Sequence, residues 1–174
     1  MLFRSSPWPA LCWVSSLQTG LWDVENNPLE MAKNLCILFE GVYLKPYLCP
    51  AGIPTIGVGS THYENGIRVT LADPPITRER AEELLMWELK TQCVPRVLKL
   101  CKNLPEWGPG AVAAIVDFTY NLGSGSLQTS TLRKKIESND RDGAKAELMK
   151  WVRGGGRVLP GLVKRRTAEC TLMG

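Results

Sequence analysis

Residues 40–60 read EGVYLKPYLCPAGIPTIGVGS. Upstream of them Leu29, Ala32, Leu35, Cys36 and Phe39 recur at three- and four-residue steps, so residues 29–40 are expected to form an amphipathic helix. Gly41 follows Glu40 directly and supplies the stop signal. Past it the helical period is lost. Turn formers (Pro46, Pro50, Gly52, Pro54, Gly57, Gly59) alternate with β-branched Val42, Thr55, Ile56 and Val58, which predicts a small turn-rich β region over 42–70. Glu40 therefore closes a helix at the point where it meets a hairpin.

Helical patterning returns at Thr77, an N-cap residue ahead of RERAEELLMWELKTQC, and this helix is expected to be interrupted near Pro95, which has no N–H to donate. Residues 111–122, AVAAIVDFTYNL, are apolar nearly all round, as a helix buried at the centre of a domain would be. Further helices are predicted at about 130–138, 141–152 and 160–172, separated by Asn139-Asp140 and by Gly154-Gly155-Gly156. A small antiparallel sheet beside a helical bundle gives the α+β class.

At 174 residues, 44% hydrophobic and 22% charged, the chain has the size and mix of one compact domain; disorder, collagen-like repeats and a polytopic membrane protein are excluded. A chain this long buries about 68–70% of its unfolded surface, so its core needs no disulfide or metal. The six cysteines form no CxxC, and the one histidine, His62, follows Gly59-Ser60-Thr61 in what reads as an exposed loop. A structural zinc site is thus not expected, a Ser-His-Asp triad would have to run through that single ring, and no cofactor is implied. Residues 133–174 carry eleven Lys/Arg against five Asp/Glu, a local balance of +6 in a chain of net charge +4. This end either favours a polyanionic partner or presents solvated helix faces. Its one aromatic residue, Trp151, argues against nucleic acid.

Residues 5–22, SSPWPALCWVSSLQTGLW, hold no charge, with Arg4 before them and Asp23 and Glu25 after, the charge outline of a secretion signal or weak signal-anchor. Pro7, Pro9, Gln18 and Gly20 dilute the run below a stable span of about 20 apolar residues. It reads as a segment that associates with a membrane transiently, or as an extension packed through Trp8, Trp13 and Trp22. Residues 1–27 are therefore set apart from a domain over 28–174.

A carboxyl at a helix end facing a polar hairpin is a good general acid, because packing against apolar neighbours favours its protonated form. Glu40 has that position, with Cys49 and Thr55 within the following hairpin. Taken singly, each has an ordinary alternative: a Glu at a helix end is commonly solvated, and a Cys in a turn is commonly a small apolar filler. The spacing Glu-x8-Cys-x5-Thr in EGVYLKPYLCPAGIPT resembles the signature of the phage-type lysozymes, the endolysins of glycoside hydrolase family 24: Glu, eight residues, Asp or Cys, five residues, Thr. FTYNLGSGSLQTSTLRKKI (118–136) and GAKAELMKWVRGGGRVLPGLVKRRTAE (143–169) look like that family's Asn-Leu/Val-Gly and Gly-Gly, Arg-Arg regions, and the likeness covers about residues 29–172.

The resemblance implies a lysozyme-like fold and a monomeric muramidase. It would hydrolyse the β-1,4 bond between N-acetylmuramic acid and N-acetylglucosamine in peptidoglycan, and so lyse bacteria. It would be made in the host cytoplasm and released to the periplasm or wall. Glu40 takes the general-acid position, Cys49 the Asp/Cys position and Thr55 the Thr position. Cys49 departs from the carboxylate version, since a thiol is a weaker acceptor than Asp, so Cys49 and Thr55 would position water while Glu40 carries the acid catalysis. At the Arg-Arg position, one of Arg165 and Arg166 would face the cleft and pair with Glu40 or with a substrate carboxylate; solvated helix faces are the alternative. Trp151 and Asn121 read as structural. A disulfide from Cys12 to Cys49 would lock the site until redox conditions change; otherwise all six cysteines stay reduced. Two other readings compete. One is a lytic transglycosylase, which leaves anhydromuramic ends; the other is a non-catalytic wall-binding protein.

Overall fold

The computed structural model describes residues 26–174. The charge-free stretch 5–22 and Cys12 lie outside the described residues. Helix α1 spans Pro28–Glu40, opened by Asn27, whose side chain accepts from the Leu29 N–H at 3.0 Å, with Pro28 in the first turn. Leu29, Ala32, Leu35 and Cys36 form its buried stripe. The helix ends because Gly41, at φ +76°, returns its N–H to Ile37 O and turns the chain outward.

Strands β1 (Tyr43–Leu48) and β2 (Pro54–Gly57) pair antiparallel, with Tyr47 opposite Thr55 and Leu48 opposite Pro54. The pairing is irregular between Tyr43 and Tyr47, where Pro46 offers no N–H to a ladder. Ile56 and Val58 are fully buried, and isolated bridges Ile56–Ser60 and His62–Arg68 continue the β region towards residue 70, as its composition predicts. His62 is exposed.

Helix α2 (Arg78–Glu88), capped by Thr77 on the Arg80 N–H at 3.1 Å, is not cut at Pro95. It widens to a π turn over Leu89–Cys93 and continues as α3 (Val94–Leu100). Pro95 cannot donate to the carbonyl four residues back, and the wider turn just upstream makes room for its ring. A 3-10 turn at Leu104–Trp107 leads into α4 (Pro109–Leu122), which is buried from Ala111 to Thr119 and forms the centre of the core, packed against α1 and against α8 (Pro160–Leu172).

Between α4 and α8 lie three short helices: α5 (Ser124–Thr129), α6 (Thr131–Glu137) and α7 (Arg141–Leu148). The Gly-Ser-rich α5 has no sequence signal and holds through Ser126 Oγ donating to Leu122 O at 2.8 Å and Thr129 Oγ1 to Gly125 O at 3.1 Å. Helix α7 stops short of residue 152. The chain there forms a hairpin, β3 (Arg153–Gly154) with β4 (Arg157–Val158), whose turn residues Gly155 and Gly156 both have positive φ. Among the described residues no helix is long and apolar enough to cross a membrane.

Candidate active site

Glu40 is not isolated among apolar side chains, as its helix-end position suggests. It is 32% exposed, and its Oε1 accepts from Arg165 Nη1. Arg165 comes from α8 and is 3% exposed; its Nε and Nη2 donate to Asp117 Oδ2 and Oδ1, each at 2.8 Å. Asp117 is fully buried in α4 and accepts also from Cys36 Sγ of α1 at 3.2 Å. Arg165 further lies over the Phe39 ring, 5.6 Å from its centroid. Burial works against the charge on both Asp117 and Arg165, but each is the other's counter-ion. Asp117 is held below the usual carboxylate range and Arg165 holds its proton more firmly than usual.

The hairpin carries Cys49 and Thr55. Cys49 N–H donates to Ile53 O at 3.0 Å and Gly52 N–H to Cys49 O at 2.8 Å, closing a tight turn in which Gly52 sits at φ +74°. Backbone N–H groups of Ile53 and Ala51, joined by the Thr55 side chain, hold the half-exposed Cys49 thiol below its ordinary range. Thr55 is 2% exposed and donates its hydroxyl to Ile53 O at 2.9 Å, which leaves its oxygen lone pairs as acceptors. Tyr47 is near both acid and thiol. Its hydroxyl is pushed up by burial, then by the charges of Tyr43, Glu40 and Cys49, and its ring stacks on Tyr43 at 4.4 Å. Near both Glu40 and Cys49, Tyr47 also has Thr55 as its strand partner.

Cys49 differs sharply from the buried thiols. Burial pushes Cys36 far up and Cys93 and Cys101 each up to about 12. Brief treatment of native protein with iodoacetamide near neutral pH should therefore label Cys49 well ahead of Cys36, Cys93 and Cys101, as peptide mass spectrometry would register. Equal labelling of all four would contradict the arrangement described.

Of the two arginines, Arg165 is the one that pairs with Glu40. Arg166 points the other way: fully buried, it lies over the Phe118 ring at 5.1 Å, donates to Asn121 Oδ1 at 3.1 Å and sits 2.8 Å from Glu169 Oε1. Trp151 packs edge-on against the same Phe118, with centroids 5.4 Å apart. Asp117, Glu169, Tyr47 and Tyr120 escape a reading by motif. The available signal was Asp117, the one charged residue in the run 109–122.

Tyr120 donates to Val58 O at 2.8 Å; burial pushes its hydroxyl up, with the charges of Glu88, Cys36 and Glu40 adding to the shift. Beside it a groove of about 430 Å³ runs between Thr61–Gly66 on one wall and Glu88, Gln92 and Ser124 on the other.

Residues 38–169 match the family model described as phage lysozyme. The chain belongs to the phage lysozyme family. It is a muramidase-type glycosidase, a peptidoglycan-degrading endolysin. This phage lysozyme is 39% identical over 138 residues to an endolysin of Acyrthosiphon pisum secondary endosymbiont phage 1, a match covering 77% of this chain and 88% of the relative. It is 32% identical to a SAR-endolysin of Bacteriophage PS119, over 75% of this chain and 73% of that one. Among solved structures it resembles the endolysin from Escherichia coli O157:H7 phage FAHEc1, with a TM-score of 0.73 at 29% identity, covering 82% of this chain and 90% of that chain. The lysozyme-like α+β architecture is thus that of its relatives.

Proposed function

We propose that Glu40 is the general acid of this muramidase and that Cys49 and Thr55 hold the attacking water. The supporting observation is the hold of Arg165 on Glu40, together with Tyr47, which feels the charges of both Glu40 and Cys49 and pairs with Thr55 in the hairpin. Glu40 gives its proton to the glycosidic oxygen between N-acetylmuramic acid and N-acetylglucosamine. As that C–O bond breaks, an oxocarbenium-like centre develops on the muramic acid. The water, donating one hydrogen bond to Thr55 Oγ1, adds its oxygen to the anomeric carbon, and its released proton passes by way of the Cys49 sulfur or solvent. Net hydrolysis leaves a reducing muramic acid.

The test is a mass-spectrometric digest of purified peptidoglycan with the protein and with Glu40→Gln. Hydrolysis by this mechanism gives reducing muramic-acid ends that vanish in the variant. Anhydro ends would instead make the enzyme a transglycosylase, in which the muramic acid closes on itself and no water is placed.

The same reading extends to the route. The chain acts as a monomer, is made in the host cytoplasm and reaches the wall after transient membrane association through residues 5–22. That charge outline and the similarity to a protein named SAR-endolysin support this order. Removing residues 1–25, which keeps the Asn27 cap of α1, should leave digestion of purified peptidoglycan intact while shifting the protein out of the membrane fraction of expressing cells.

A further inference from the structure

We infer that Asp117 is a positioning residue for Glu40: it fixes the direction of Arg165 and offsets its charge, so that Glu40 can carry the proton it donates. This rests on the reading of Glu40 as the general acid. A guanidinium against a carboxyl favours the ionised carboxylate, which has no proton to give. Arg165 donates directly to Glu40, so a working acid here needs that positive charge met from another side.

Asp117 meets it. Two parallel hydrogen bonds of 2.8 Å bind its carboxylate to Nε and Nη2, and Nη1 on the other side of the guanidinium donates to Glu40. With Asp117 fully buried and Arg165 3% exposed, water does not screen them, and each charge is largely cancelled by its partner. The Asp117 side chain is itself anchored, in the middle of the central helix and by the Cys36 thiol at 3.2 Å.

Arg165 from α8 contacts Glu40, and Tyr47 from β1 and Tyr120 from α4 are near enough to feel its charge. Those facing Arg165 are Asp117, Glu40, Glu169 with Oε1 4.0 Å from Nε, and the like charge of Arg166. Glu169 cannot substitute for Asp117. It lies closer to Arg166, at 2.8 Å, and burial together with the neighbouring Asp117 pushes its carboxyl up.

The experiment follows the pH dependence of reducing-end release from purified peptidoglycan by Asp117→Asn and Asp117→Ser, with a thermal melt of each. General-acid turnover is lost as pH rises and the acid ionises. With the guanidinium no longer offset, that alkaline limb should move to lower pH by about 1 unit. The double variant Asp117→Asn/Arg165→Met removes both charges and should bring the limb back to its wild-type position, at a reduced maximal rate because Glu40 loses its guide. A residue needed only for packing would lower activity without moving the limb. A limb unmoved or displaced to higher pH in a folded variant overturns the inference, as does failure of both neutral variants to fold. Glu40→Gln run in parallel separates the two claims: turnover surviving in it removes the general-acid reading itself.

Discussion

Glu40→Gln should slow fragment release from peptidoglycan by about 10²–10⁴-fold, the share usually carried by a positioned general acid. The amide keeps an oxygen for Arg165 Nη1 but has no proton to transfer at any accessible pH, so the loss should persist across the pH range. Its side chain is partly exposed and the exchange preserves shape, so the melting curve should stay cooperative; a collapse of the melt would mean that lost activity reports unfolding. Cys49→Ser is the informative companion. Serine keeps a small hydrogen-bonding group in the same turn, and if Cys49 only helps to orient water beside Thr55, turnover should fall much less than in Glu40→Gln. Equal losses in the two variants would show that the thiol takes an obligatory part in the chemistry.

The parts of this enzyme legible in its sequence are those that depend on neighbours in the chain. The helix over 28–40, its glycine stop and the hairpin behind it follow from periodicity and turn chemistry, and they carry Glu40, Cys49 and Thr55 within one short stretch. The fold class could be read for the same reason. The resemblance offered an arginine partner for Glu40 without choosing between Arg165 and Arg166, but the part of Asp117 was not legible, because it lies 48 positions from Arg165 and in a different helix. Periodicity marks Asp117 as sitting on a buried helix but says nothing of the cation that makes such burial tolerable. Arg165 and Arg166 look alike in the sequence, yet a helix turns neighbouring residues about 100° apart, so one reaches Glu40 and the other the core. Local misreadings had local causes. Pro95 was accommodated by a widened turn rather than a break, and the triple glycine made a hairpin turn that shortened α7.

A second large effect, on stability, is expected away from the site, at Gly110. In a helix interior Gly→Ala ordinarily gains up to about 1 kcal/mol, because alanine has less backbone freedom to lose. At Gly110 the sign should reverse. A Cβ built there would lie 2.2 Å from the carbonyl oxygen of Leu172 and 3.2 Å from its carbonyl carbon, both backbone atoms at the end of α8. No rotamer change can relieve a backbone clash, so α4 and α8 must separate. Overpacking of this kind costs about 1–3 kcal/mol, or roughly 2–12 °C in Tm for a chain of this size. Gly125→Ala is the matched control: it too is helical, and its added methyl meets nothing within 4 Å, so it should be neutral or stabilising. The two helices that Gly110 lets approach are those carrying Asp117 and Arg165, so Gly110→Ala should also lower turnover at temperatures where the protein remains folded. If Gly110→Ala melts with or above wild type, the close approach of the helices, and with it the rigid seat of the Asp117–Arg165 pair, would have to be abandoned.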